Sequence, residues 1–309
     1  MKILLATDGS PSAKHAEALA AATTWPAGTV IEVLRVDQFI DDEIDLRPQR
    51  FAAAYAARRH EIDDRLAALV EELSGPGRTV HARVIFGRPA TAIVSEAGQL
   101  GSELVLIGSH NHGAFASFTL GSVAAEVVDH APCPVLVARS SSLGPIVLGH
   151  DGSEGAKHAE ELVATWPFLA HETVRVVSVS PLLPPWYMTA DAGMSSGITD
   201  EFLQEVLDER RARSARVANA ATARLVERGL TASAEVRAGA SADGLLDAIA
   251  AAHAQLIVVG SRGNTGLARL LLGSVARTVV YQAPCSVLIV RQSVGAPPVE
   301  KPPTAAIAV

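Results

Sequence analysis

The amino-acid sequence predicts an α/β protein of two tandem domains, each a five-stranded parallel sheet with helices on both faces. Three observations carry that expectation. The chain repeats itself, short β-rich apolar runs alternate with Ala/Leu-rich helical stretches in each copy, and those runs are near-continuous Val, Ile and Leu. A strand with one wet face would alternate apolar with polar residues, whereas a continuous apolar run suits a strand buried on both faces. Strand–helix–strand alternation requires crossovers, so the strands run parallel.

The repeat is explicit. Residues 8–19 (DGSPSAKHAEAL) and 151–162 (DGSEGAKHAEEL) are identical at nine of twelve positions, and 120–139 and 272–291 at thirteen of twenty. The offset is 143 near the start of each copy and 152 near its end, so the second copy carries nine extra residues (152 − 143), placed in PLLPPWYMTADAGMSS at 181–196. The expected boundaries are a first domain at 1–139, a Ser/Gly/Pro linker at 140–145, a second domain at 146–292 and a Pro-rich tail at 293–309.

Strands are expected near 2–7, 30–36, 79–86, 103–108 and 134–138, and again near 145–150, 173–179, 231–238, 255–260 and 286–291. Four helices intervene in each copy. The longest, near 47–73 and 199–229, set Arg and Glu against spaced Leu, Ala and Val. Arg210, Arg211, Arg213 and Arg216 read as a solvated face of the second of these. Trp25-Pro26 and Trp166-Pro167 read as repeated packing at a helix end. The apolar segments 135–137 and 287–290 close their domains and would each leave an open sheet edge. They are expected to pair with each other about a pseudo-twofold axis.

Composition bounds the function. With 309 residues, 49% hydrophobic and 19% charged, the chain can bury two cores. No apolar run reaches the roughly 18 residues of a spanning helix, and the start is too short for a signal-peptide core, so no membrane association and a cytoplasmic location are expected. A net charge of −7 argues against nucleic acid as a partner. Cys133 and Cys285 are too few for a disulfide framework or a four-thiolate zinc site and suit buried thiols.

In a parallel α/β sheet, ligands bind beyond the carboxyl ends of strands at the switch in winding direction. There the first strands end in Thr7-Asp8-Gly9-Ser10 and His150-Asp151-Gly152-Ser153, and the fourth at Gly108 and Gly260. The second copy continues GSRGNTGLARLLLGSV, with the spacing G-x2-G-x9-G-S over Gly260, Gly263 and Gly273-Ser274. Such a loop can crowd backbone N–H groups around an anion, and Gly273-Ser274-Val275 opens a helix whose N-terminus favours phosphate. Arg262 adds a charged fork. Asp8 and Asp151 would also serve as helix N-caps.

With these motifs the sequence resembles the universal stress protein family in its tandem two-domain form. The resemblance spans nearly the whole chain and includes the turn Gly87-Arg88-Pro89-Ala90 and the Ala-Pro-Cys lead-in to each last strand. It implies Rossmann-like domains of the adenine nucleotide alpha hydrolase-like type, binding ATP (or AMP or ADP), with Mg as an accompanying ion. It implies that Asp151 meets the ribose and the Val179 backbone the adenine. Gly149 would allow close approach, while Gly260, Ser261, Arg262, Gly263, Gly273, Ser274 and Val275 would surround the phosphates. The matching first-copy positions are Ala6, Asp8, Val36, Gly108, Asn111, Gly121, Ser122 and Val123, with Asn111 standing where the motif has its second glycine. The implied partners are the nucleotide and the second half of the chain itself, with a homodimer as a further assembly.

Other motifs fit less well. The pair His110 and His112 shows no third metal ligand, and His171-Glu172 lacks the second His of H-E-x-x-H. G-x-S-x-G at 193–197 lies in the Pro-rich insertion rather than on a strand-to-helix turn. G-x-x-x-x-G-K-[ST] is absent. The expected function is therefore nucleotide binding in a stress or signalling role, with slow ATP hydrolysis or phosphotransfer as the alternative. A protein-interaction module without nucleotide fits the complete second-copy motif less well. Arg262, Arg269 and Arg277 align with His110, Ser117 and Ala125, so the second copy is expected to be the tighter site.

Overall fold

Val-, Ile- and Leu-rich strands buried on both faces must be roofed by helices on each side, and the chain achieves this by winding outward in two directions from its first strand. The computed structural model describes residues 1–37, 48–109, 120–182, 200–263 and 272–291, with side chains of the first long helix from Arg58 onward. The first half runs β1 (Lys2–Ala6), α1 (Ala13–Ala22), β2 (Thr29–Asp37), α2 (Pro48–Leu73), β3 (Arg78–Phe86), α3 (Pro89–Leu100), β4 (Leu104–Gly108), α4 (Ser122–His130) and β5 (Val135–Ala138). The second runs β6 (Ile146–Gly149), α5 (Glu154–Thr165), β7 (Thr173–Ser180), α6 (Asp200–Glu227), β8 (Thr231–Ala238), α7 (Ser241–Ala252), β9 (Leu256–Gly260), α8 (Ser274–Gln282) and β10 (Ser286–Val290). The expected tail and the 181–196 insertion lie largely outside the described residues, as do His110, Asn111, His112, Ser117 and Arg269.

The strands of the described residues form one sheet of order β3-β2-β1-β4-β5-β10-β9-β6-β7-β8. Neighbours within each half are parallel, as near-continuous apolar strands joined by helices require. Strand ends differ from the sequence expectation for local reasons. At Pro145 the carbonyl accepts bonds from the Gln255 and Leu256 amides, but proline has no N–H to return, so β6 begins at Ile146. Helices α1, α2, α5 and α6 cover one face through Leu19, Leu66, Leu73, Val163 and Leu225. Helices α3, α4, α7 and α8 cover the other through Ile93, Val127, Leu245 and Val279.

The two halves join where the sequence placed their open edges. β5 and β10 pair antiparallel, with Val137 opposite Val287, Leu136 opposite Leu288 and Val135 opposite Ile289. These side chains are buried, and burying one such side chain is worth about 1.5–3 kcal/mol. Polar contacts repeat across the junction with the same symmetry. Arg139, just after β5, donates from Nη2 to the Val280 carbonyl of α8 at 2.6 Å. Arg291, just after β10, donates to the Val128 carbonyl of α4. Each half thus supplies its last arginine to the C-terminal turn of the other's final helix, where carbonyls lack intrahelical partners. Arg277 forms an ion pair with Asp129 across the same junction at 3.1 Å. It was expected among the loop arginines, and its place at the interface removes it from that set.

Trp25 packs at a helix end as expected, donating from Nε1 to the Ala20 carbonyl at 2.8 Å. Its ring also meets Phe168 of the second half edge-on, with centroids 4.7 Å apart, and Trp166 lies 5.1 Å from Phe168. Burial pushes the Cys133 and Cys285 thiols up to about 12 and about 11, so both stay protonated at neutral pH.

Burial pulls the Arg139 guanidinium down to about 10, leaving it charged at neutral pH. Arg139→Ala leaves two carbonyls of the other half without their donor. It should lower stability in urea unfolding by about 1.5–3 kcal/mol, the range for a charged hydrogen bond. A loss below about 0.5 kcal/mol would show that the crossed arginines do not hold the halves together.

Candidate functional site

The switch in winding direction falls between β1 and β4 in one half and between β6 and β9 in the other. At that point in the second half, the turn after β6 is built by its own side chains. Asp151 Oδ1 accepts the Ser153 amide at 2.9 Å, Gly152 takes φ +83°, and Ser153 Oγ accepts the Ala156 amide at 3.2 Å as the N-cap of α5. The cap is therefore the serine. One oxygen of Asp151 shapes the turn, while Oδ2 lies against Gly263, 2.7 Å from where a Cβ on that residue would sit. The first half repeats the turn, with Asp8 Oδ1 to the Ser10 amide at 2.9 Å and Ser10 Oγ to the Ala13 amide at 3.2 Å.

The glycine spacing has a more specific basis than loop freedom. A Cβ on Gly260 would lie 2.5 Å from the Gly155 carbonyl carbon, and one on Gly108 would lie 2.5 Å from the Ser12 oxygen. These glycines let the first helix of each half pack against the end of the fourth strand. Gly263 instead makes room for the Asp151 carboxylate. The loop is closed at its base by the Gly273 amide donating to the Ser261 carbonyl at 2.8 Å, matched by Gly121 to Ser109 at 2.7 Å. Gly273 is the N-cap of α8, so the first amides of that helix open onto the space above Asp151.

That space is a cavity of about 610 Å³. Of the residues singled out in the second copy, Gly149, Asp151, Val179, Gly260, Arg262, Gly263, Gly273, Ser274 and Val275 line it. Ser261 does not, being buried and engaged through its backbone. Val179 faces it for a reason of register. The Val177 carbonyl accepts the His150 amide at 2.9 Å, so Val177 points its main chain toward β6. Two residues on, Val179 points the same way, but β6 has ended, leaving its N–H and C=O directed at the cleft.

Sequence reasoning missed part of this wall. Arg210, Arg213, Ser214 and Val217 of α6 also line the cavity. The arginines of this helix were expected on a solvated face, which holds for Arg211, Arg213 and Arg216, all exposed, although Arg213 also borders the cavity; Arg210 is half-buried. The spacing 210, 213, 214, 217 is one helical stripe and was the available signal. Among the described residues lining the cleft, Asp151 is the one carboxylate against Arg210, Arg213 and Arg262. No group of three His, Cys, Asp or Glu among the described residues is arranged to hold a metal ion.

In the first half, Ala6, Asp8, Val36, Gly108 and Val123 line a cleft of about 230 Å³. Gly121 and Ser122 sit at the start of α4 but do not line it, and Asn111 is outside the described residues.

A family model, "Universal stress protein family", matches residues 1–139 and again 143–291. The chain belongs to the universal stress protein family. Two universal stress proteins of Mycobacterium tuberculosis share 31% identity over 250 residues (76% of each chain) and 30% over 247 residues (73% of this chain, 74% of that one). A universal stress protein of Thermus aquaticus is 36% identical over 137 residues, 44% of this chain and 97% of its own. The crystal structure of a universal stress protein from Archaeoglobus fulgidus superposes with a TM-score of 0.63 at 17% identity, over 94% of this chain and 98% of that one. A structure described as a putative universal stress protein from Pseudomonas aeruginosa gives 0.56 at 19% identity, over 94% and 93%. These likenesses show the shared fold. No helix among the described residues is long and apolar enough to cross a membrane.

Beneath the second cleft of this universal stress protein lies a buried charged cluster. His150 Nδ1 accepts the Gly152 amide at 3.3 Å, while Nε2 stands 3.0 Å from Glu160. Arg224 binds the same carboxylate through two bonds of 2.6 and 2.7 Å. Burial alone would raise the Glu160 pKa, but the bonds from Arg224 and His150 outweigh it and hold the carboxyl at about 2. The first half keeps the plan with Thr7 donating to Glu17 and Arg65 3.9 Å from Glu17. A carboxyl depressed in the folded state contributes stability above its unfolded pKa, and this is lost as pH falls toward the folded value. Glu160→Gln should therefore cost about 1.5–3 kcal/mol at pH 7. The gap to the unsubstituted chain should shrink as pH falls from about 5 toward 2 in thermal melts. A gap independent of pH would contradict this account of the cluster.

Proposed function

We propose that the second cleft binds an adenine nucleotide, ATP or its AMP and ADP relatives, as a regulatory or structural ligand of a stress-response or signalling protein. The observation that carries this reading is the convergence of three kinds of group on one cavity. The first amides of α8 and Arg262 suit phosphates. The Asp151 carboxylate suits ribose hydroxyls. The paired N–H and C=O of Val179 suit a base edge that offers one acceptor and one donor, as adenine does. A volume of about 610 Å³ lies within the range of small-molecule sites, roughly 300–1,000 Å³. Arg213 and Arg262 have no ion-pair or hydrogen-bond partner among the described residues, so their charge is there for an anion to meet. A magnesium ion would be held chiefly by the phosphates, with Asp151 the nearby carboxylate.

These groups bind phosphates in the ground state, and uniform binding does not accelerate chemistry. Asp151 beside the glycine loop leaves slow hydrolysis or phosphotransfer as a second reading. Turnover should stay below about 1 s⁻¹, under the low end of ordinary enzyme rates.

Isothermal titration should find ATP bound by the full chain, with Arg262→Ala weakening it about tenfold, equivalent to ~1.4 kcal/mol. Gly273→Val should abolish tight binding, and mass spectrometry of freshly purified protein should find adenine nucleotide released on denaturation. The absence of ATP binding at millimolar concentration, or tight binding indifferent to both substitutions, would contradict the proposal.

A further inference from the structure

The two halves contain the same cleft with different contents. Their equivalence is fixed by main-chain bonds, because the Thr7 amide donates to Leu34 at 3.0 Å as the His150 amide donates to Val177 at 2.9 Å. Ala6 pairs with Leu34 as Gly149 pairs with Val177. Arg35 therefore stands where the second half has Ser178, and Asp37 where it has Ser180. On the long helices, the buried positions 62, 66, 69 and 73 correspond to 214, 218, 221 and 225. Arg58 thus occupies the place of Arg210, and Arg65 that of Val217.

These exchanges narrow the first cleft from within. Arg35 Nη1 donates to the Asp8 carbonyl at 2.7 Å, spanning the gap between the end of β2 and the turn after β1. Its Nε is buried with no hydrogen-bond partner among the described residues, and the side chain is half-buried within the cleft wall. Arg58 Nη2 meets Asp37 Oδ1 at 2.6 Å and closes the outer side, while the Arg65 side chain lies over Gly9. In the second half, the same space is bounded by Ser178 and by Val217 against Gly152. The first cleft, about 230 Å³ and lined by Arg35, Asp37 and Arg58, is the smaller, against about 610 Å³ in the second.

We propose that Arg35 occupies the place of a nucleoside in the first cleft and is the residue that confines nucleotide binding to the second half. This rests on the reading that the second cleft binds an adenine nucleotide. It differs from any effect of His110 and Asn111, which lie outside the described residues and which the sequence motif aligns with the phosphate-binding positions. Arg35 stands beside Val36, at the base and ribose end, so it excludes AMP as well as ATP.

The test is equilibrium dialysis of AMP against the full chain. The unsubstituted protein should bind one AMP, and Arg35→Ser should bind a second within about tenfold of the first affinity. That second site should vanish when Asp8→Ala is added. In the reverse graft, Ser178→Arg should weaken the original site at least tenfold. Urea midpoints confirm which variants fold, and either graft alone decides. Two AMP sites in the unsubstituted chain overturn the proposal. So does a folded Arg35→Ser chain with no second site, or a folded Ser178→Arg chain with unchanged affinity. Should the unsubstituted chain bind neither AMP nor, in a parallel dialysis, ATP, the nucleotide reading of the second cleft fails. A site gained by Arg35→Ser would then still support the block, and no gain would overturn it.

Discussion

The antiparallel pairing of β5 with β10 is the constraint on which the rest of the molecule depends. A parallel α/β unit that winds outward from its first strand must end on an exposed edge, and an exposed edge of Val and Leu is a template for association with other chains. Duplication supplies a matching apolar edge on the same polypeptide. Joining the two removes both templates and creates one ten-stranded sheet with the halves running in opposite directions. The carboxyl ends of β4 and β9 consequently point toward opposite ends of the sheet. The two clefts share a scaffold without sharing an entrance.

Crossed arginines tie those clefts to the junction. The helix that opens the second cleft, α8, has its N-terminal amides at the cavity and its C-terminal turn bonded to Arg139 of the first half. The corresponding helix α4 is bonded in turn to Arg291. A cation at a helix C-terminus complements the helix dipole that favours an anion at the other end. Each half therefore supports the cleft-facing helix of its neighbour, even where its own cleft is the narrower one. The half with the narrower cleft thus supplies the last arginine and the edge strand that hold the other half in shape.

Most of the fold was legible because the chain states it twice. Two copies of each strand and helix pattern make the alternation plain, and the apolar segments that end each copy identify the edges that must meet. The cleft was legible through Asp151 and the glycine spacing, although the reasons differ by residue. Gly260 serves helix packing and Gly263 serves a carboxylate, a distinction that depends on which backbone comes close in space. Arg213 was hidden because α6 carries cations on several faces, and only its packing across Gly152 decides which of them enter the cleft. Arg277 was misplaced because its partner, Asp129, lies 148 residues away in sequence. Arg35 is an ordinary cation in a strand until its register against Ser178 is known.

The halves have thus kept one architecture while changing the side chains that occupy its cleft. In the second half, small residues at the end of β7 and a glycine beside Asp151 leave the cleft open. In the first, arginines from β2 and α2 narrow the corresponding volume to about 230 Å³. The most direct test is a crystal structure of the full chain grown with a non-hydrolysable ATP analogue. The account predicts one nucleotide in the second cleft, its phosphates on the amides of Gly273 to Val275 and its base on the Val179 main chain, with Arg35 still bonded to the Asp8 carbonyl. Nucleotide density in the first cleft, or none in the second at saturating analogue, would contradict it.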